Sequence, residues 1–261
     1  MIRSNRSPLV AATCALLLSP AAFAETIAFD MVGSASQNLV AYTNAFTDAF
    51  SSPGDGFQIY QRGVSGSIPF AVLDDSAVGF PADSLGIITE ANTDTFFGIT
   101  DTVNGDNSGP VTAQWDFDVA GVSDMMLSLD MGAMGDFETS DFFSISYSID
   151  GGAVETLFDA MVDESLSQEY ILADGDAFDL NDPMTVAGTI LTNELQTLSA
   201  AILGEGSILS IFLTASTNGG SEAFAFQNLI VDGTRAAVSE PGVLALIGLA
   251  LVGFGASRRR S

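Results

Sequence analysis

The side chains able to do chemistry in this chain are almost all carboxylates. Thirty-three Asp and Glu face seven basic residues, every one of them arginine, and histidine is absent. The single cysteine, Cys14, lies near the N-terminus. Ser-His-Asp and Cys-His nucleophiles, Schiff-base lysines and zinc sites built from His or Cys are therefore excluded. Calcium is the metal this set suits, a hard cation that takes about six to eight oxygen ligands. Two acid clusters qualify by spacing. Asp136, Glu138 and Asp141 share a turn between two strand-like segments, where a Ca2+ ion would neutralise carboxylates that the fold crowds together. Asp174, Asp176, Asp179 and Asp182 form a denser loop around Gly175 but lack the order of an EF-hand and its terminal Glu. For each cluster the alternative is a solvated turn.

A glycosidase would need two suitably spaced carboxylates, and the abundance of acids nominates no pair. Between residues 25 and 240 only Arg62 and Arg235 oppose all the acids. Such a charge repels phosphate backbones and anionic lipid surfaces over a Debye length, so nucleic acid is excluded as a partner. Most of the acids read as a hydrated surface.

Targeting signals occupy both ends. Arg3 and Arg6 precede an apolar run from Leu9 to Leu18, and Ala22-Phe23-Ala24 offers a small-x-small site, which reads as a signal peptide over 1–24 cleaved after Ala24. The mature chain then has no cysteine and no disulfide. At the other end Ser239-Glu240-Pro241 opens an apolar run to Ala256, followed by Arg258, Arg259 and Arg260. As a helix, 241–256 spans roughly 24 Å, slightly short of a bilayer core of about 30 Å. The arginines act as a membrane stop on the cytoplasmic side, leaving everything before Ser239 outside.

This tail, 237–261, resembles the PEP-CTERM sorting tail, whose motif is Pro-Glu-Pro. Here Ser239 stands for the first proline, while Glu240 and Pro241 match. The resemblance implies that an exosortase-type enzyme in the membrane reads the tail, in bacteria that make exopolysaccharide. It also implies passage from the inner membrane to the cell surface or medium.

Residues 25–236 show short alternating segments separated by Gly, Asn, Asp and Ser, the pattern of an antiparallel all-β domain. Ala113-Trp115-Phe117-Val119, Met125-Leu127-Leu129-Met131 and Phe143-Ile145-Tyr147-Ile149 keep a two-residue period, and Asp150-Gly151-Gly152 marks a hairpin leading to Val154–Phe158. Strands are also expected over 26–32, 57–61, 68–73, 95–99, 196–202, 208–214 and 223–231. Residues 38–50 read as a short helix or an insertion, 75–92 as loop-rich, and 159–183 mainly as acidic loop, with one helical turn or a strand as the alternative over 161–172. This many strands imply two packed sheets, and an antiparallel jelly-roll β-sandwich between signal peptide and transmembrane helix is the expected fold.

The run Phe96-Phe97-Gly98-Ile99-x-Asp101, the turn Asp136-Phe137-Glu138-x-x-Asp141, the hairpin Tyr147-x-Ile149-Asp150-Gly151-Gly152, and Glu222-x-Phe224-x-Phe226-Gln227-Asn228 together look like secreted jelly-roll domains of the galactose-binding-like or lectin-like type. In that group the last strand often reads Glu, four residues, Asp-Asn, and here Gln227 replaces the Asp. The resemblance implies a fold rather than a ligand.

Phe117, Phe143, Tyr147, Phe212, Phe224 and Phe226 fall on apolar faces and are expected in the core, with Trp115. Tyr42 and Tyr60 are the more open aromatic candidates for sugar stacking, and Arg62 reads as an ion-pair partner. The leading expectation is a non-enzymatic, exported cell-surface or extracellular-matrix protein, an exosortase substrate working with exopolysaccharide or the cell envelope. A calcium-dependent carbohydrate-binding module and a carboxylate-based polysaccharide hydrolase are the alternatives.

Overall fold

The alternation of apolar and polar residues becomes a stack of strands in a computed structural model that describes residues 24–33, 35–74 and 86–235. In chain order these are β1 (Ala24–Val32), β2 (Ala35–Gln37), β3 (Leu39–Asn44), β4 (Gly56–Gln61), β5 (Leu73–Asp74), β6 (Ile88–Thr89), β7 (Thr95–Thr100), β8 (Val111–Asp118) and β9 (Val122–Met134). They continue with β10 (Phe142–Ile149), β11 (Glu155–Val162), β12 (Ser167–Ile171), β13 (Ala177–Asn181), β14 (Met184–Val186), β15 (Thr189–Ile190), β16 (Gln196–Ala201), β17 (Ile208–Ser216) and β18 (Ala223–Arg235).

The strands build an all-β sandwich. One seven-stranded sheet runs β16-β9-β18-β1-β2, with β7 and then β4 branching from β18; the other runs β15-β14-β11-β10-β17-β8-β3. Residues Ala24–Ala236 form one compact unit. Among the described residues no helix is long and apolar enough to cross a membrane. The signal peptide and the sorting tail, with 241–256 and its arginines, lie outside the described residues, apart from Ala24 at the start of β1.

The inner faces of the two sheets share one core. Trp115 and Phe117 of β8, Phe143 of β10 and Ile211 of β17 meet Leu127 of β9 and Phe224 and Phe226 of β18, all nearly or fully buried. Phe143 stacks on Phe224 with ring centroids 3.6 Å apart, and Trp115 meets Phe97 and Phe226 edge-on at 5.6 and 6.0 Å. The edge-on geometry of the two Trp115 pairs is what aromatic quadrupoles favour, and it adds about 0.5–1.5 kcal/mol per pair beyond burial. Phe212 departs from expectation. The core side of β17 carries Leu209, Ile211 and Leu213, so Phe212 points the other way and is half-buried.

A second, smaller core covers the outer face of the first sheet. Tyr60, Ala71, Val72, Ile88, Phe96, Tyr170, Leu172, Ala223 and Ala225 pack there. The small alanines of the Ala-Phe-Ala-Phe run let that cover approach β18, so residues 223–227 are buried on both faces.

Four sequence expectations change. Residues 68–73 are not a strand: Pro69, which lacks an N–H, caps a 3-10 turn at Phe70–Val72, and only Leu73–Asp74 pairs, parallel to β6. Residues 38–50 contain no helix but the strand β3, which pairs with β8. Asn44 ends it, accepting the Phe46 N–H at 2.9 Å and donating to the Phe57 carbonyl at 2.8 Å. The stretch 159–183 is mostly strand, because β11 runs to Val162 and β12 and β13 form a hairpin. Tyr60 is buried, while Tyr42 lies half-buried against Trp115 at 5.0 Å.

Candidate metal centre and groove

Two connections cross between the sheets at the same end of the sandwich. The turn after β9 carries the chain to β10, and the loop after β17 carries it back to β18. Register brings them side by side, since Ala223 pairs with Met134 and Phe142 pairs with Ser216. Glu222, just before β18, therefore lands beside the 136–141 turn.

The result is a cluster of Glu138, Asp141 and Glu222, with one oxygen of each within 4.8 Å of the others. Asp141 is 2% exposed and Glu222 5%, whereas Glu138 is exposed. Phe137, fully buried, pins the turn to the core. The Asp141 N–H donates to the Glu138 carbonyl, and the Glu138 N–H donates to Asp141 Oδ2, both at 2.8 Å. Asp141 Oδ1 is buried and has no hydrogen-bond partner. On the other side the Gly219 N–H donates to Glu222 Oε2 at 3.1 Å, and Asn218 reaches Ser140 across the gap at 3.4 Å.

Buried carboxylates without a cation resist ionisation. Burial pushes Asp141 up to about 6, with the Glu138 charge adding to it. Burial, then the charges of Asp141 and Glu138, push Glu222 up to about 8.

Asp136, expected in this site, is exposed and outside the group; Glu222 completes it instead. Glu222 is distant in sequence, so no local spacing points to it. The signals that do are an acid directly before the apolar run Ala223-Phe224-Ala225-Phe226 and just after the Asn218-Gly219-Gly220 turn. The other acid cluster disperses along a hairpin: Asp174, Asp176 and Asp179 are exposed, and Asp182 is half-buried beyond the end of β13.

Away from the acids, a groove of about 660 Å³ runs along β4 and the loop that follows β3. Phe46 and Phe50 contribute half-buried rings inclined by 16° with centroids 6.4 Å apart. Asp48 and Gln58 lock across it: the Asp48 N–H donates to Gln58 Oε1 at 2.7 Å, and Gln58 Nε2 donates to Asp48 Oδ1 at 3.2 Å. The outward groups of β4 are already engaged at both ends, the Phe57 carbonyl by Asn44 and the Gln61 N–H by the Ser65 hydroxyl. Arg62 donates to the carbonyls of Asp74 and Ile88 at 2.8 and 2.7 Å, holding β5 and β6 together.

Comparisons with known proteins bear on the tail. Residues 237–260 match the PEP-CTERM protein-sorting motif. No curated protein matches the chain. Among solved structures, the K2 cleaved adhesin domain of Lys-gingipain is similar over 84% of this chain and 100% of its own, at 12% identity and a TM-score of 0.36. TmCBM61, solved in complex with beta-1,4-galactotriose, covers 72% of this chain and 97% of its own, at 9% identity and a TM-score of 0.30. The CBM51-2 and INT domains of Clostridium perfringens ZmpB cover 80% and 32%, at 9% identity and a TM-score of 0.29. Likenesses this distant say nothing of ligand or activity.

Proposed function

Proceeding from the sorting motif at 237–260, we propose that this is an exported, non-enzymatic surface or matrix protein. Its signal peptide is removed after Ala24. The segment 241–256, stopped by Arg258, Arg259 and Arg260, holds it in the inner membrane with the sandwich outside. An exosortase-type enzyme then reads Ser239-Glu240-Pro241 and passes it to the surface or medium, where exopolysaccharide or the envelope is its partner. The observation that carries this reading is the sorting motif itself. The high acid content supports it as a surface that stays hydrated outside the cell.

The experiment is intact mass and C-terminal peptide analysis of protein recovered separately from membrane and medium of the native host. A terminus near Glu240 on released material is expected. A chain found only in the membrane and retaining Arg258 to Arg260 would mean a simple anchor and would end the sorting reading.

The carbohydrate-binding alternative draws on the groove beside β4, where the Phe46 and Phe50 rings, the Gln58 amide and the Ser65 hydroxyl offer apolar and polar contacts together. Its acids, Asp48 and Asp55, would disfavour anionic glycans. A panel of purified neutral and acidic glycans tests it, with retention of neutral glycans by the wild type and loss in Phe50→Ala as the expected result. The hydrolase alternative is weaker there. Gln58 and Asp48 are bonded to each other, and Asp55 is held by Ser52 and Asn104 at 2.9 Å each, which ties both carboxylates to structural roles.

A further inference from the structure

The cluster at the shared end of the two sheets is an unusual expense for a small domain. Three carboxylates converge within 4.8 Å, and two of them are almost completely removed from water. The chain has no lysine or histidine to neutralise them. The arginines among the described residues are engaged elsewhere: Arg62 is bound to the carbonyls of Asp74 and Ile88, and Arg235 pairs with Glu25 at 3.2 Å. Independently of the charge count, Asp141 Oδ1 is a buried acceptor that no N–H or hydroxyl reaches, so only a proton shared with Glu222 or a bound cation can satisfy it, although Oδ2 of the same carboxylate is satisfied. A buried oxygen left unpaired forfeits its hydration with nothing in return, and the loss is greater when it is charged. Buried polar atoms without a partner call for an unseen water or ion.

We propose that Glu138, Asp141 and Glu222 bind one calcium ion, which ties the turn after β9 to the loop before β18 and so clips the two sheets together at that end. The donor set is all oxygen, as a hard cation requires. Calcium accepts irregular sets of carboxylates and carbonyls at about 2.3–2.6 Å, whereas magnesium demands a near-ideal octahedron at about 2.1 Å and gives up its waters reluctantly. Carboxylates delivered by two separate connections suit the more tolerant ion. Exposed Glu138 provides the entry, and Asp141 Oδ1 gains the partner it lacks. Water and nearby carbonyls complete the shell. The site does not depend on whether the tail is sorted.

The test uses the full chain, stripped with chelator and then titrated with calcium chloride, following heat of binding and thermal unfolding. One ion per chain and a rising melting temperature are expected, with the folded-to-unfolded ratio up about a hundredfold at a hundredfold excess over Kd. Glu222→Gln and Asp141→Asn separate a ligand from a merely structural acid. Each relieves repulsion, so each variant in chelator should melt at or above the stripped wild type, yet fail to gain from calcium. An unchanged wild-type melting temperature in millimolar calcium would overturn the proposal. Wild-type calcium affinity in both variants would do so equally.

Discussion

Two acid-rich turns, 136–141 and 174–182, look alike as sequence and differ as structure. In the first, Phe137 is completely buried and drags the turn against the core, so Asp141 is lost from water and meets Glu222 from another strand. In the second, Gly175 and an Asx turn, in which the Asp176 N–H donates to Asp174 Oδ1 at 2.9 Å, close a hairpin that Tyr170 and Leu172 hold to the smaller core while Asp174, Asp176 and Asp179 face solvent. Carboxylates become a site when an anchor buries them and the topology supplies a partner. Density alone yields a hydrated surface.

The sharpest way to break this comparison is to remove each turn's aromatic ring. Phe137→Ala should cost about 3–5 kcal/mol in denaturant unfolding, as large-to-small core changes do. Phe178→Ala, in the second turn and 43% exposed, should stay within about 0.5 kcal/mol. Equal losses would mean that the two turns are anchored alike.

A pH series in chelator reads the same difference through charge. Folding holds Glu222 near 8 and Asp141 near 6, above their ordinary values of 4.5 and 3.8, so the folded chain carries extra protons between those limits. Stability from this source is complete at about pH 4 and is lost as pH rises through about 6 and then 8. The melting temperature of the stripped protein should fall over that interval, and Glu222→Gln should flatten the upper part of the fall. A melting temperature rising through pH 6–8 would contradict the buried cluster.

Glycines sharpen the contrast further. A Cβ on Gly219 would lie 2.1 Å from Glu222 Oε1, so Gly219→Ala pushes that carboxylate aside. Calcium affinity should drop about 10–100-fold, the usual cost of disturbing a ligand's support. Gly175→Ala meets no neighbour but sits at φ +91, and should cost about 1–2 kcal/mol of stability with calcium binding unchanged. The smallest effect is expected from Asp174→Asn with Asp179→Asn, which should move the melting temperature by under about 0.5 kcal/mol equivalent and leave calcium titration unaltered.

Much of the sandwich was legible in the sequence because its faces alternate cleanly. The run Ala113-Trp115-Phe117 and the strand 142–149 follow a period of two, with the core on one side. Legibility failed where burial is two-sided or local chemistry intervenes: Pro69 converts an apolar run into a 3-10 turn, and the hairpin of β12 and β13 hides its apolar residues Tyr170 and Leu172 among acids. Two of the three acids of the candidate site could be read, since Glu138 and Asp141 lie in one turn. Glu222 could not, because only the pairing of β18 with β9 brings it there. Phe212 and Tyr60 show the same limit from the aromatic side, because residue type does not reveal which face of a strand is covered.

The most direct measurement is an anomalous difference map from crystals of the chelator-stripped chain soaked in terbium, which substitutes for calcium and scatters strongly. A single peak about 2.3–2.6 Å from oxygens of Glu138, Asp141 and Glu222, with none along 174–182, is the predicted result. A peak only at the 174–182 hairpin, or none at the buried cluster, would contradict the account.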